Sequence, residues 1–257
     1  MMIVTNNLKL NGVNKMKAKR IFRNAILALL TGFTIVSCND FDEELEVLTD
    51  VYVINKKFGG EVRSANAYYA YANQTLSGAT VTKPNNGGMV QLENYTGSIY
   101  TFAKEPVDSD YKTTAPVEGS YTFTVQGSNG ETLQVTDVLD YANLGIPQFT
   151  KIKFSGTPLI LELEWSDVTD ADGYVIKMFD TQGKLVFNGY SIDDDVNKYT
   201  ITGTSNSGFW NTPAVNGESY LLQVNAFSYD AEANQTNYIY NVSEISIGES
   251  QIVWGVN

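Results

Sequence analysis

The sequence predicts an all-β protein, two small β-sandwiches in tandem behind an export segment. Three observations lead there. Past Glu44 the chain shows little sustained apolar spacing of the helical kind. Short runs rich in Val, Ile, Thr and Tyr recur instead, broken by Gly, Asn, Asp and Pro, in two sets of about seven, the strand count of a small sandwich. A turn-and-strand pattern also repeats: Thr114-Ala-Pro-Val-Glu-Gly-Ser-Tyr121 returns, with one inserted residue, as Thr212-Pro-Ala-Val-Asn-Gly-Glu-Ser-Tyr220. The two tyrosines stand 99 residues apart, about one sandwich domain.

Residues 1–37 read as a signal peptide. They hold six basic residues and no acidic one. Met16-Lys-Ala-Lys-Arg-Ile-Phe-Arg23 is a compact positive n-region, and the 12 residues Ala25–Val36 form an apolar stretch. That stretch falls short of the roughly 20 residues a helix needs to span a bilayer. A signal of normal proportions begins at Met16, so Met16 is the expected start of translation. An acidic tether, 38–45, follows. From Cys38 onward the chain has 11 basic and 29 acidic residues, a charge of −18.

In the first half, residues 46–143, the expected strands are Val47–Lys56, Ala67–Ala72, Ala79–Thr82, Met89–Glu93, Ser98–Ala103, Tyr121–Gln126 and Thr132–Val138. Pro84-Asn-Asn-Gly-Gly88 and Ser128-Asn-Gly130 mark turns between them. In the second half, residues 146–257, they are Gln148–Phe154, Pro158–Trp165, Tyr174–Phe179, Lys184–Tyr190, Lys198–Thr202, Ser219–Tyr229 and Ser243–Trp254. The boundary is expected at Asn143-Leu-Gly-Ile-Pro147. Tyr121 and Tyr220 each open an alternating strand, with Phe123 and Val125, and Leu222, Val224 and Ala226, on the tyrosine's face. A tyrosine opening the penultimate strand fits a tyrosine corner, with the ring in the core and the hydroxyl on nearby backbone.

Composition removes several functions. The chain has no His, so no Ser-His-Asp or Cys-His relay and no His-ligated zinc. One Cys cannot form an intrachain disulfide or a Cys-based metal site. A pI near 4.4 argues against nucleic acid, whose phosphates need clustered cations. No catalytic residue and no cofactor is expected.

Ile35-Val-Ser-Cys38 resembles the bacterial lipobox, with Val36 a less usual residue at its place. The resemblance implies that the Cys38 thiol receives a diacylglycerol and that the signal is cut before it. Several acyl chains would anchor the protein, at about 0.8 kcal/mol per buried CH₂. Asn39-Asp40-Phe41-Asp42-Glu43-Glu44 resembles the acidic export signal of Gram-negative surface lipoproteins, which implies the outer face of the outer membrane, with its periplasmic face as the alternative. The first half is generically immunoglobulin-like. The second resembles a fibronectin type III domain over roughly 146–255. Leu159-Ile-Leu-Glu-Leu-Glu-Trp165 alternates apolar and polar residues, Ser166 to Tyr174 supply the loop that follows, and Asn241-Val-Ser-Glu-Ile245 leads into the last strand. The loop Gly203–Gly217 and the tail to Trp254 depart from that family's pattern. The resemblance implies that Trp165, Tyr174 and Tyr220 are core residues.

Candidate ligand residues are aromatic. Tyr69 and Tyr71 share one strand face, where flat rings stack on sugars; a buried face is the competing reading. Phe209 and Trp210 lie in the expected loop, as binding anchors or as a plug for the sandwich end. Tyr229, Tyr238 and Tyr240 flank the last connecting loop. Asp167, Asp170 and Asp172, with Asp193, Asp194 and Asp195, offer oxygens of the kind Ca²⁺ takes. Their spacing lacks the distal Glu of an EF-hand and matches the ordinary loop of the fibronectin family, so no metal is expected. The function expected is non-catalytic display or binding of a glycan or adhesion ligand at the cell envelope. The alternatives are a partner subunit of an envelope transport or adhesion complex and, less favoured, a carboxylate-dependent glycoside hydrolase.

Overall fold

The structure, a computed structural model, describes residues 44–203, 207–231 and 241–257. Cys38 and Asn39 to Glu43 lie outside the described residues, as do Tyr238 and Tyr240; of the acidic signal Glu44 alone is described, and it is exposed. The first half builds seven strands: β1 (Val47–Phe58), β2 (Glu61–Ala72), β3 (Leu76–Thr82), β4 (Met89–Asn94), β5 (Thr101–Lys104), β6 (Gly119–Gly127) and β7 (Thr132–Leu139). The second builds β8 (Phe149–Ser155), β9 (Ile160–Trp165), β10 (Gly173–Phe179), β11 (Leu185–Gly189), β12 (Ile192–Asp193), β13 (Lys198–Thr202), β14 (Gly208–Trp210), β15 (Ser219–Tyr229) and β16 (Val242–Val253). The protein is all-β, as its alternation predicts.

Strand order in the first half is β1-β2-β5-β4-β3-β6-β7. Gly59 and Gly60, at φ 59° and 91°, supply the left-handed pair that turns β1 tightly into β2. β7 returns alongside β1, where the Val51 N–H donates to Asp137 Oδ2 at 2.7 Å. Inside this wrap lie Val51, Val53, Tyr68, Ala70, Val81, Leu92, Tyr121, Phe123 and Val125, all buried. Alternation explains the set: along β6, Tyr121, Phe123 and Val125 point in and the threonines between them point out.

The second half packs the three-stranded sheet β13-β9-β8 against β14-β11-β10-β15-β16. Trp165, Tyr174 and Tyr220 are buried in that core, and Trp165 meets Tyr174 with ring centroids 5.4 Å apart. On the outer face of β9, Glu162 and Glu164 pair with Lys151 at 2.9 and 3.1 Å. The expected loop 203–217 is corrected in part. Gly208–Trp210 is a short edge strand, with Phe187 opposite Trp210 and Gly189 opposite Gly208. A three-residue strand between turns leaves no period to read, which is why the sequence shows a loop there.

β1 pairs in parallel with β16, Val53 opposite Glu244 and Lys56 opposite Ile247, and so joins the strands of both halves into one 13-stranded sheet. Leu45–Asn257 is one compact unit. The core residues still fall in two main sets, one from Leu45 to Leu139 and one from Leu144 to Trp254, with a small third set of Ala67, Tyr69 and Ala103 in the first half. The chain between the sets is tied to the seam. Glu244 is fully buried; its Oε1 accepts from the Leu144 N–H at 2.9 Å and from Asn55 Nδ2. Ser246 Oγ donates to the Leu144 carbonyl at 2.9 Å. Gly248 makes room for this crossing, because a Cβ there would fall on the Pro147 carbonyl.

Candidate ligand groove

A groove of about 500 Å³ opens on the first sandwich. Four pieces of chain build it. β2 supplies Ser64, Ala65, Asn66 and Tyr68 to its floor. The β3–β4 turn supplies Lys83, Pro84 and Gly87, and Val90 follows at the start of β4; the turn closes through Lys83 N–H to the Gly88 carbonyl at 2.9 Å, and Asn85 and Asn86 adopt positive φ, as Asn tolerates. Lys104 ends β5. The connection from β5 to β6 supplies Ser109, Asp110, Lys112 and Thr114 to Val117. This connection is pinned to β2 by reciprocal backbone bonds between Ser64 and Lys112, 2.8 and 2.9 Å long. Tyr111, beside Lys112, is buried against Phe58.

The polar floor has a defined pattern. Asn66 Nδ2 donates to Tyr121 Oη at 2.9 Å and to Tyr68 Oη at 3.2 Å. Tyr121 donates its own proton to the Val117 carbonyl at 2.7 Å, which is the expected tyrosine corner. Tyr68 donates to no other described residue. Burial pushes its hydroxyl up to about 12, so it stays a donor at neutral pH. Asn66 Oδ1 is buried and has no partner among the described residues. A buried carbonyl oxygen left unpaired costs about 1–3 kcal/mol, so this atom is an acceptor waiting for a donor.

The groove is also cationic. Lys83, Lys104 and Lys112 line it, three of only 11 basic residues after Cys38. None of the three is in an ion pair among the described residues, and Lys112 Nζ donates to the Ser109 carbonyl at 2.7 Å. The one lining carboxylate, Asp110, accepts from the Val107 N–H at 3.0 Å and so holds its own loop. At physiological salt, charges are screened beyond about 8 Å; Glu105, Asp108 and Glu118 neighbour lining residues in the sequence but do not line the groove themselves.

The aromatic candidates take other roles. Tyr69 is corrected as a sugar platform. It is only 2% exposed, because Tyr52 and Tyr71 stack on its two faces at 5.9 and 5.8 Å and Tyr95 leans on it. Its hydroxyl donates to Glu105 Oε1. Tyr71 is half-buried at one end of that stack. Phe209 and Trp210 sit on opposite faces of β14. Phe209 is 51% exposed, edge-on to Tyr190. Trp210 turns inward against Phe187 and Trp254, and its Nε1 donates to the Thr202 carbonyl at 2.9 Å. It plugs the sandwich. The structure therefore does not bring Phe209 and Trp210 into one patch, nor either of them to Tyr69 and Tyr71, which lie in the other sandwich.

The aspartates hold loops. Asp167 Oδ1 accepts from the Tyr174 hydroxyl and from the Val168 N–H, both at 3.1 Å. Asp172 Oδ2 accepts from the Tyr229 N–H at 2.8 Å. Asp170 adopts φ 65° in the turn. Among the described residues no three His, Cys, Asp or Glu side chains gather as metal ligands.

No protein-family model matches the chain, and no curated protein matches it. Several solved structures overlap it. A tetra-tandem repeat from the extending region of a large adhesion protein is 14% identical, covering 80% of this chain and 49% of that one, with a TM-score of 0.24. A DUF3823 family protein from Bacteroides uniformis is 12% identical, with coverages of 80% and 99% and a TM-score of 0.29. A segment of two fibronectin type III domains from chicken tenascin is 12% identical, with coverages of 81% and 98% and a TM-score of 0.24. The chain thus spans about half the length of the adhesion segment. Superpositions this loose leave the sandwich assignment resting on the strand registers above.

Proposed function

We propose that this protein is a lipid-anchored, non-catalytic envelope protein that presents a ligand-binding groove at the outer membrane surface. The observation that carries binding is the groove itself. It combines three lysines, a free tyrosine donor and an orphaned amide acceptor with a single lining carboxylate, Asp110, one of whose oxygens holds its own loop. That is equipment for holding a polar ligand. Acid–base hydrolysis of a glycoside would need two carboxylates flanking the bond, about 5–9.5 Å apart. The anchor rests on the signal region and Cys38, and the surface position on the acidic run after it.

Protease shaving of intact cells carrying the full-length protein, followed by staining with labelled polysaccharides, tests this reading. Shaving should remove the protein and the staining together, and bound polysaccharide should keep its chain length. A protein that stays protected while a known surface marker is cut overturns the surface placement. Shortened polysaccharide overturns the non-catalytic reading.

A further inference from the structure

We infer that the groove takes an anionic polysaccharide, a glycan whose sugars carry carboxylate or sulfate groups. This deepens the binding role proposed above and rests on it. Two independent features select the class. Lys83, Lys104 and Lys112 converge on one cavity of a chain that is otherwise strongly acidic, which a neutral ligand would not require. Asn66 Oδ1, buried and unpaired, calls for a donor on the ligand, while the Tyr68 hydroxyl, which accepts from Asn66 Nδ2, has its own proton to give to an acceptor on the ligand. Sulfate and carboxylate anions only accept hydrogen bonds. They would satisfy the lysines and leave Asn66 orphaned. A sugar that carries both hydroxyls and an anionic group satisfies the whole set.

The walls agree. Pro84 and Pro116 present apolar edges suited to the C–H faces of a pyranose ring. The volume lies within the roughly 300–1,000 Å³ of small-ligand sites. The groove is open to solvent, so it admits a unit within a chain as well as a free end.

The test uses the full-length lipoprotein in detergent micelles. Ligands are polygalacturonate, its methyl ester, kappa-carrageenan, a neutral β-glucan, and inorganic sulfate and phosphate, each titrated by calorimetry at two salt concentrations. At least one of polygalacturonate and kappa-carrageenan should bind tenfold or more tighter than the ester and the glucan, and should weaken as salt rises; polygalacturonate carries only carboxylates and carrageenan only sulfates, so which of them binds separates the carboxylate source from the sulfate source. The double variant Lys83→Gln/Lys104→Gln should lower that affinity tenfold or more. Asn66→Asp, which sets a negative charge in the floor, should do the same, while Lys198→Gln on β13 should not. Near-UV circular dichroism verifies that each variant is folded, and a folded double variant that binds normally overturns the groove as the site. Equal binding of ester, glucan and acidic chains overturns the anionic class and leaves the binding role standing. Inorganic sulfate binding as tightly as the glycans shows a bare anion site and overturns the inference. Failure of every glycan to bind, with the wild type folded, overturns both readings.

Discussion

The same corner occurs twice in this molecule and ends in two different ways. In the first sandwich Tyr121 donates to the Val117 carbonyl. In the second, the Val215 N–H donates to Tyr220 Oη at 2.9 Å. Val117 and Val215 are equivalent positions of the repeated sequence, so one inserted residue turns the backbone group presented to the ring from a carbonyl into an N–H. What lies beside the corner differs more. Residues 114–117 border the open groove. Residues 212–215 border a filled end, where Trp254 meets Phe154 at 5.2 Å, Trp210 at 5.6 Å and Tyr220 at 6.4 Å. The corner secures the strand in both places. Whether a cavity remains depends on whether aromatic rings or lysines flank it.

Trp254→Ala should do the most damage. It removes the hub of the filled end and should cost about 3–5 kcal/mol, as for other buried tryptophans. Denaturant unfolding measures it. A loss below about 1 kcal/mol would mean that the ring cluster is not a plug, and that the two ends differ less than their packing implies.

Next in size is the seam that joins the two halves. Glu244→Ala leaves the Leu144 N–H without its side-chain acceptor, at about 1–3 kcal/mol, and takes from Asn55 Nδ2 one of its two acceptors, the bond to Ser246 Oγ at 3.1 Å remaining. Glu244→Gln keeps the Oε1 acceptor and separates charge from shape. Burial raises the Glu244 carboxyl above its ordinary value, against backbone and Asn55 bonds that lower it. As pH climbs from about 4.5, the unfolded chain loses this proton before the folded one does. Across that window the native state holds the extra proton, so stability falls with rising pH. Wild type should therefore gain on Glu244→Gln as the solution is acidified toward 4.5. Parallel stability curves for the two proteins would show that the carboxyl titrates as if exposed.

Local pattern explains which parts of the molecule were legible. Alternation marked all seven strands of the first half and both tyrosine corners, because period and turn residues lie next to each other in the chain. The parallel pairing of β1 with β16 was not visible, since Val53 and Glu244 are brought together across almost the whole described chain. Nor was the groove: Asn66, Lys83, Lys104 and Lys112 come from four separate segments and form no motif. The scarcity of cations after Cys38 was the one available hint, and composition cannot say which lysines meet. Tyr69 misled because strand alternation assigns a face without saying whether that face is open.

The finest test replaces each corner tyrosine by Phe. Tyr121→Phe removes a donor to Val117 and one of the two acceptors for Asn66 Nδ2; Tyr220→Phe removes a single acceptor for Val215. At about 0.5–1.5 kcal/mol for each net hydrogen bond, Tyr121→Phe should be the costlier of the two by roughly one bond. Thermal unfolding followed by calorimetry resolves a difference of that size. The two variants should also part in binding. Loss of Tyr121 Oη frees Asn66 to swing about its remaining bond to Tyr68, so glycan affinity should fall, whereas Tyr220→Phe, on the filled corner, should leave it unchanged. Equal stability losses with equal affinities would mean that the two corners are one device repeated, and that the groove owes nothing to the hydroxyl at its edge.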